Sequence, residues 1–447
     1  MAVTHDEPMR RSWWAFAVGV PVVVSVAVLL HAPLRAELGH EGPTLAAVTG
    51  GASRAAMAPP PAVLTGLDLA KMTVSETGAS VALAPKKTAH LTVDPVLQRV
   101  TTDVMTQYHV PEAAVVLMDV ETGRILVYAS HVEGAPQRDL CIEATAPAAS
   151  VFKIVTGSAL VETSGLTAEQ RECYSGGEQK ILEKDLLPDP KRDKWCTTLA
   201  GAMGRSINTV FARLALRHLK PNGLEEWAKN LGFGNTMPFD VRVQTSAIHV
   251  PDDTLGFART SAGFWNTTLS PLHAAWLSAM IARGGEPVRP SIVHDVVDEG
   301  KNVWSATPGL AQKRVLKTET AQALTTMMDA TVADGTSYKA FHDGKGQAFL
   351  GSVAVAGKTG TLTDPTSQRF YTWFTGFAPS HTIVVPDGSD HVKQVAIGVL
   401  VVNQPTWTIK ANTLAREVLR AYFAQQKVPN VTTPQARVPH DAKKSDG

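Results

Sequence analysis

Ala146-Pro-Ala-Ala-Ser150-Val-Phe-Lys153-Ile-Val-Thr-Gly-Ser-Ala-Leu-Val161 is the stretch at which the chain changes character. Upstream of it lie runs rich in β-branched residues; downstream, apolar residues recur at helical spacing. Ser150 opens the most apolar helix of the sequence, carried by Val151, Phe152, Ile154, Val155, Ala159, Leu160 and Val161, so this helix is expected to be buried. Positions i and i+3 share a helix face, which sets Lys153 one turn from the Ser150 hydroxyl. A serine hydroxyl is a poor nucleophile until a base takes its proton, and this spacing supplies one.

Outward from this point, residues 114–120 and 124–129 are two β-rich runs joined by Glu121-Thr-Gly123, the pattern of a hairpin. Helices are predicted at 151–162, 199–203, 209–219, 271–283 and 320–333, with strands scarce between 150 and 334. Ser270-Pro271 opens one of these helices and Gly284-Gly285 closes it. Strand character returns at 353–357, 370–377 and 395–402, followed by an amphipathic helix over 411–425. The early hairpin must therefore meet strands about 230 residues later to complete one sheet, a segregated α+β arrangement.

Two further motifs accompany Ser150-Val-Phe-Lys153: Ser206-Ile-Asn208 and Lys358-Thr-Gly360-Thr361. Singly each is weak. Ser150 alone reads as a helix cap, Ser206 and Asn208 as loop residues bonding their own backbone, and Lys358 as a surface lysine. The ordered set S-x-x-K, S-x-N, K-T-G carries more, because it is shared by penicillin-binding proteins and class A β-lactamases. Lys153 has to be neutral to act as a base, and burial with a second cation, Lys358, nearby lowers an amine's pKa. Ser206 is placed to relay a proton to a leaving amine. Asn208 offers a non-titrating amide to a peptide backbone or to Lys153. Residues 358–361 are expected to end the 353–357 strand at a sheet edge. There Lys358, Thr359 and Thr361 suit a terminal carboxylate and Gly360 permits close backbone approach. Backbone N–H groups of Ser150 and Thr361 suit an oxyanion hole, and a peptide can add as an extra strand.

Over residues 90–426 the sequence resembles the transpeptidase domain of penicillin-binding proteins. Beyond the three motifs, the likeness rests on Leu91-Thr-Val-Asp-Pro-Val-Leu-Gln98, the hairpin, Thr268-Leu-Ser-Pro-Leu-His273, Ala282-Arg-Gly-Gly285 and Trp373-Phe-Thr-Gly-Phe-Ala-Pro379. The resemblance implies a five-stranded antiparallel sheet flanked by helices, with an all-helical subdomain beside it. It implies Ser150 as acylated nucleophile, Lys153 as base, Ser206 as relay, Asn208 as substrate contact, and Lys358, Thr359 and Thr361 on the donor carboxylate. The implied reaction is ping-pong. A stem peptide ending in D-Ala-D-Ala acylates Ser150, D-Ala leaves, and an amine or water accepts the acyl group. β-Lactam antibiotics are implied ligands, and no cofactor is implied. Ile154 departs from the proline often found after the motif lysine. The stretch before residue 90 is too short for a glycosyltransferase domain and thin for the family's usual pedestal. Competing expectations are a D,D-carboxypeptidase or β-lactamase with water as acceptor, or an inactive scaffold that binds wall peptide.

Composition narrows the partners. With 42 Lys and Arg against 41 Asp and Glu the formal charge is +1, so no global field favours nucleic acid. No metal-ligand spacing is present. Residues 13–30 carry no charge and suffice to cross a hydrocarbon core of roughly 30 Å. Arg10 and Arg11 before them, with Trp13 and Trp14 at the interface, orient residues 1–12 as a cytoplasmic tail. A cleaved signal peptide is the alternative. The expectation is therefore a single-pass protein of the bacterial cytoplasmic membrane with its catalytic domain outside, and cell-wall synthesis proteins as candidate partners. Residues 31–89, rich in Ala, Pro, Gly and Thr, read as an extracytoplasmic linker, and 427–447 as a disordered tail. On the oxidising side Cys173 and Cys196 are candidates for a disulfide around a polar loop, with Cys141 left over; three free thiols are the alternative.

Overall fold

The computed structural model describes residues 60–177, 180–364, 366–381, 392–404 and 406–432. The expected cytoplasmic tail, the membrane span 13–30, the first part of the linker and the tail from 433 onward lie outside the described residues.

The linker expectation is corrected from residue 60 onward. Strands β1 (Thr73–Val74), β2 (Ala79–Ala84) and β3 (Lys87–Leu91) form a meander that buries Ala79, Val81, Ala89 and Leu91. These runs are short and built largely from small residues, so the strand pattern is faint. Their sheet is completed only by a hairpin far downstream: His90 pairs with Asp295, 205 residues away.

Helix α1 (Pro95–Gln107) begins where Asp94 accepts hydrogen bonds from the backbone N–H groups of Val96 (2.8 Å) and Leu97 (2.9 Å), with Pro95 at the first helical position. Strands β4 (Glu112–Asp119) and β5 (Ile125–Val132) then form the expected hairpin. A 3-10 turn over Ala149–Phe152 leads into α2 (Lys153–Ser164), which Gly165 ends in the left-handed conformation. The short pair β6 (Arg171–Tyr174) and β7 (Trp195–Thr198) follows, and Cys173 and Cys196, facing each other across it, are joined in a disulfide.

Helices α3 (Leu199–Gly204), α4 (Asn208–His218), α5 (Pro221–Asn230), α6 (Thr254–Ser261) and α7 (Pro271–Ala282) continue the helical region. Strands β8 (Val293–Asp298) and β9 (Lys301–Ser305) were not anticipated; they finish the first sheet in the order β1-β2-β3-β8-β9. After α8 (Thr318–Ala333) and the short α9 (Tyr338–Phe341) come β10 (Ala356–Thr363), β11 (Phe370–Ala378), β12 (Val395–Asn403) and the final helix α10 (Ala411–Gln425).

The second sheet has the order β10-β11-β12-β4-β5 and is antiparallel throughout. Its closing pair is β12 with β4, from Val395 opposite Asp119 to Val402 opposite Glu112. Both faces of this sheet are covered. On one face Ala114, Val116 and Met118 join Ala396 and Leu400 in a core shared with α2 and α7. On the other, Ala113, Val115 and Leu117 join Ile397 and Val399 against Leu97 and Val104 of α1 and Leu414 and Val418 of α10. Each fully buried Val, Leu or Ile contributes about 1.5–3 kcal/mol, which is why β4 between Glu112 and Asp119, and β12 up to Asn403, are continuously apolar rather than alternating. The architecture is the α+β class, a five-stranded antiparallel sheet between helices.

Candidate active site

Strand β10 lies at the edge of the five-stranded sheet, and it contains residues 358–361 within its length rather than ending before them. Among the described residues only β11 pairs with it, in a register that sets Lys358 opposite Thr375, Gly360 opposite Trp373 and Thr361 opposite Thr372. Its free edge borders a cleft of about 1100 Å3. Ser150, Ser206, Asn208, Thr359, Gly360 and Thr361 all line this cleft.

Ser150 sits in the 3-10 turn ahead of α2, and the residue before it, Ala149, has φ +49°. A non-glycine residue in that region is strained, and such strain persists only where packing enforces it. The packing is on hand. Trp373 of β11 donates its indole N–H to the Pro147 carbonyl (2.9 Å), and a Cβ added to Gly360 would lie 3.2 Å from the Ala149 Cβ. On the opposite side Gly263 has φ +84°, and a Cβ there would approach the Ala149 carbonyl oxygen to 2.3 Å. The turn bearing Ser150 is therefore clamped between the sheet edge and the loop after α6.

Lys153, the first residue of α2, is fully buried. Its Nζ lies 2.8 Å from Ser150 Oγ and donates to Asn208 Oδ1 (2.6 Å) and to the Ala262 carbonyl (2.5 Å). Burial, and then the charge of Lys358, hold this amine well below the ordinary lysine pKa. Lys358 is also fully buried and is lowered to about 7 by desolvation. It donates to Ser206 Oγ (3.0 Å) and to the Thr359 carbonyl (2.9 Å). Ser206 itself carries φ +59°, a second strained position at the site. Thr359 Oγ1 is 2.6 Å from the Thr336 hydroxyl, and Thr361 lines the cleft beside it.

These contacts make two runs of groups that meet in one cleft. One goes from the Ser150 hydroxyl through Lys153 to Asn208, and the other from Ser206 through Lys358 to the edge strand. A hydroxyl beside an amine whose charged form is disfavoured has what a nucleophile and its base require. The cleft also holds residues that the sequence did not announce: the Ala262 carbonyl, Gly263, Thr336, Phe264 and Trp265. Backbone atoms and packing residues of this kind have no sequence signature, and only the Gly263 position carried a faint one as a glycine after a helix.

Residues 113–395 match the family described as penicillin binding protein transpeptidase domain. Among curated proteins, the chain is similar to the peptidoglycan D,D-transpeptidase PbpA of Mycobacterium tuberculosis (strain CDC 1551 / Oshkosh). The two are 27% identical over 343 residues, which is 67% of this chain and 67% of that protein. It is also 24% identical over 315 residues to stage V sporulation protein D of Bacillus subtilis (strain 168), covering 66% of this chain and 47% of that one. Among solved structures, penicillin-binding protein A from M. tuberculosis in its imipenem acyl-enzyme complex superposes with a TM-score of 0.61 at 23% identity. That match covers 75% of this chain and 79% of the other, a likeness of fold. With the match spanning most of the chain and falling on the sheet and cleft just described, this protein belongs to the penicillin-binding protein transpeptidase family.

Proposed function

We propose that this protein is a penicillin-sensitive serine D,D-transpeptidase that cross-links peptidoglycan stem peptides through an acyl-enzyme on Ser150. The observation that carries the reading is the 2.8 Å contact between Ser150 Oγ and a buried Lys153 Nζ, in a cleft edged by β10. The similarity to a protein named as a D,D-transpeptidase, and to one solved as an imipenem acyl-enzyme complex, supports the same reading.

In this mechanism neutral Lys153 takes the Ser150 proton as Oγ attacks the carbonyl of the penultimate D-Ala. Backbone N–H groups of Ser150 and Thr361 receive the oxyanion. The Ser206 hydroxyl passes a proton to the leaving nitrogen, and D-Ala departs. Lys358, Thr359 and Thr361 hold the donor's terminal carboxylate, Asn208 contacts the peptide backbone, and the donor lies along the free edge of β10. The amine of a second stem peptide then attacks the ester and releases Ser150. Residues 13–30 anchor the chain in the cytoplasmic membrane with this cleft outside, where wall peptide and wall-synthesis proteins are met.

The test is mass spectrometry of the full-length protein in detergent after incubation with penicillin. The expected result is one long-lived adduct on the peptide containing Ser150, and none in Ser150→Ala. Catalytic turnover of the drug would instead assign a β-lactamase. Release of D-Ala with water as acceptor, even when an amine acceptor is supplied, would assign a carboxypeptidase.

A further inference from the structure

Four cations line the cleft, Lys180, Arg205, Arg259 and Lys410, and among the described residues no carboxylate lines it with them. The chain as a whole is balanced at +1, so this excess does not follow from composition. Several guanidinium groups elsewhere in the protein face carboxylates. Arg138 faces Glu143 at 2.8 Å, Arg213 faces Asp193 at 2.7 Å, Arg289 faces Asp240 at 2.9 Å and Arg369 faces Glu112 at 2.7 Å. The contacts of the cleft cations are neutral: Arg205 donates to Thr197 Oγ1 (2.7 Å), Arg259 to the Ile181 carbonyl (3.0 Å), and Lys410 lies over the Trp407 ring.

Lys410 makes the point independently. It is the N-cap residue of α10, with no side-chain cap bond. A cation there opposes the positive end of the helix dipole, and the usual capping residues are Ser, Thr, Asp and Asn. A position that costs the helix stability and faces the cleft is explained by what it meets in the cleft.

The cations stand on both walls. Lys180, Arg205 and Arg259 belong to the helical wall, and Lys410 to the wall formed by β11 and the start of α10. Between them the lining includes Ile181, Phe264, Trp265 and Leu362, and low-dielectric walls of this kind focus the field of the charges around them. A single terminal carboxylate needs one cation, and Lys358 with its threonines already serves it. The geometry points to a substrate that is anionic beyond its C-terminus: a stem peptide whose branch carboxylates are free acids, favoured over the same peptide with those groups amidated. This inference rests on the peptidase reading above and deepens it.

The experiment compares D-Ala release by full-length protein in detergent from two synthetic pentapeptides ending in D-Ala-D-Ala, one with free branch carboxylates and one with amides. At low ionic strength kcat/KM is expected to favour the acid by about three- to tenfold per carboxylate, shrinking toward equality at 1 M salt, where the screening length is about 3 Å. In the combined Lys180→Gln, Arg205→Gln, Arg259→Gln, Lys410→Gln protein the acid-to-amide ratio is expected to fall to near one. The ratio is internally controlled, since a misfolded cleft lowers both rates. A ratio near one in the wild type at low salt, or a ratio unchanged in the combined variant, overturns the proposal. If penicillin labels Ser150 and the two peptides are handled alike, whether released equally or not at all, this proposal alone falls. If neither penicillin nor peptide reacts, the peptidase reading fails and takes this one with it.

Discussion

Lys153 Nζ lies 2.8 Å from Ser150 Oγ, and its two other partners, Asn208 Oδ1 and the Ala262 carbonyl, can only accept from it. A neutral amine has two N–H bonds and one lone pair. Two acceptors take the first, and the lone pair is left aimed at the serine hydroxyl. Burial and the charge of Lys358 disfavour the charged form, and in the neutral amine these two acceptors set the direction of the lone pair. Lys153→Arg keeps the charge and several donors but cannot become neutral. It is expected to slow acylation by penicillin about a hundred- to ten-thousand-fold, as is Lys153→Gln. Stopped-flow acylation measures this, with circular dichroism to check the fold. A Lys153→Arg protein that acylates at the normal rate would remove Lys153 from the role of base.

The pH dependence follows from two buried amines with opposite requirements. Acylation needs Lys153 neutral, so the rate rises with pH as Lys153 loses its proton. Docking of a carboxylate needs Lys358 charged, so the free enzyme's rate falls as pH rises past about 7. The charge on Lys358 is also one of the causes that hold Lys153 down. Lys358→Gln therefore acts in two ways: Lys153's pKa rises, moving the ascending limb to higher pH, and the descending limb near neutrality disappears. Acylation constants measured from about pH 5 to 10 give both limbs. An ascending limb that stays in place in Lys358→Gln would mean that the two amines are not coupled.

The loop between β6 and β7 is tied down twice. The Cys173–Cys196 disulfide closes it at its base with a sequence separation of 23. Within it, Asp193 meets the buried Arg213 guanidinium at 2.7 Å, and the same Arg213 nitrogen donates to the Cys173 carbonyl at 2.9 Å. Burial alone would raise the Asp193 carboxyl, but hydrogen bonds, Arg213's first among them, hold it at about 2. Loop-closure entropy puts the cost of Cys173→Ser with Cys196→Ser at about 3 kcal/mol. Asp193→Ala leaves a buried guanidinium without its closest carboxylate and is expected to cost about 3–5 kcal/mol. Because both ties restrain one loop, the combined loss should be less than the sum. Urea denaturation of the full-length protein in detergent gives all three values, and strict additivity would show that the ties act on separate parts of the structure.

How much of this was written in the sequence depends on how local each signal was. The α2 helix, the β4–β5 hairpin and the late strands were legible because their apolar pattern is carried by neighbouring residues. The three motifs pointed to one cleft because each has its own local signature, Ser150 and Ser206–Asn208 at helix starts and Lys358–Thr361 inside an edge strand. The β1–β3 meander was not legible: Ala79–Ala84 and Lys87–Leu91 hold only Val81 and Thr88 as β-branched residues, and the outer edge of β3 is filled by Val293–Asp298, far along the chain. Helix α1 was missed although Asp94-Pro95 is a start signal. The same division holds at the site. Side chains in motifs could be read, but the Ala262 carbonyl that accepts from Lys153 belongs to a backbone that any residue could supply.

Gly263 is where packing against the nucleophile can be tested apart from chemistry. Its φ is +84°, and a Cβ would fall 2.3 Å from the Ala149 carbonyl oxygen and 3.0 Å from the Ser150 Cα. Contacts this short are not relieved by a rotamer change, because the obstructing atoms are backbone. Gly165, the C-cap of α2, shares the left-handed conformation at φ +68° but has open space where a Cβ would go. Gly165→Ala therefore carries the conformational cost alone, about 1–2 kcal/mol. Gly263→Ala adds a displacement of the turn that bears Ser150, and a shift of about 1 Å at a reacting atom costs about a hundredfold in rate. Thermal melting is expected to show both variants destabilised, while only Gly263→Ala loses acylation by penicillin. Equal acylation rates in the two proteins would show that the turn carrying Ser150 yields to its neighbours, and that the clamp formed by Gly263 and the β10 edge is not what fixes the nucleophile.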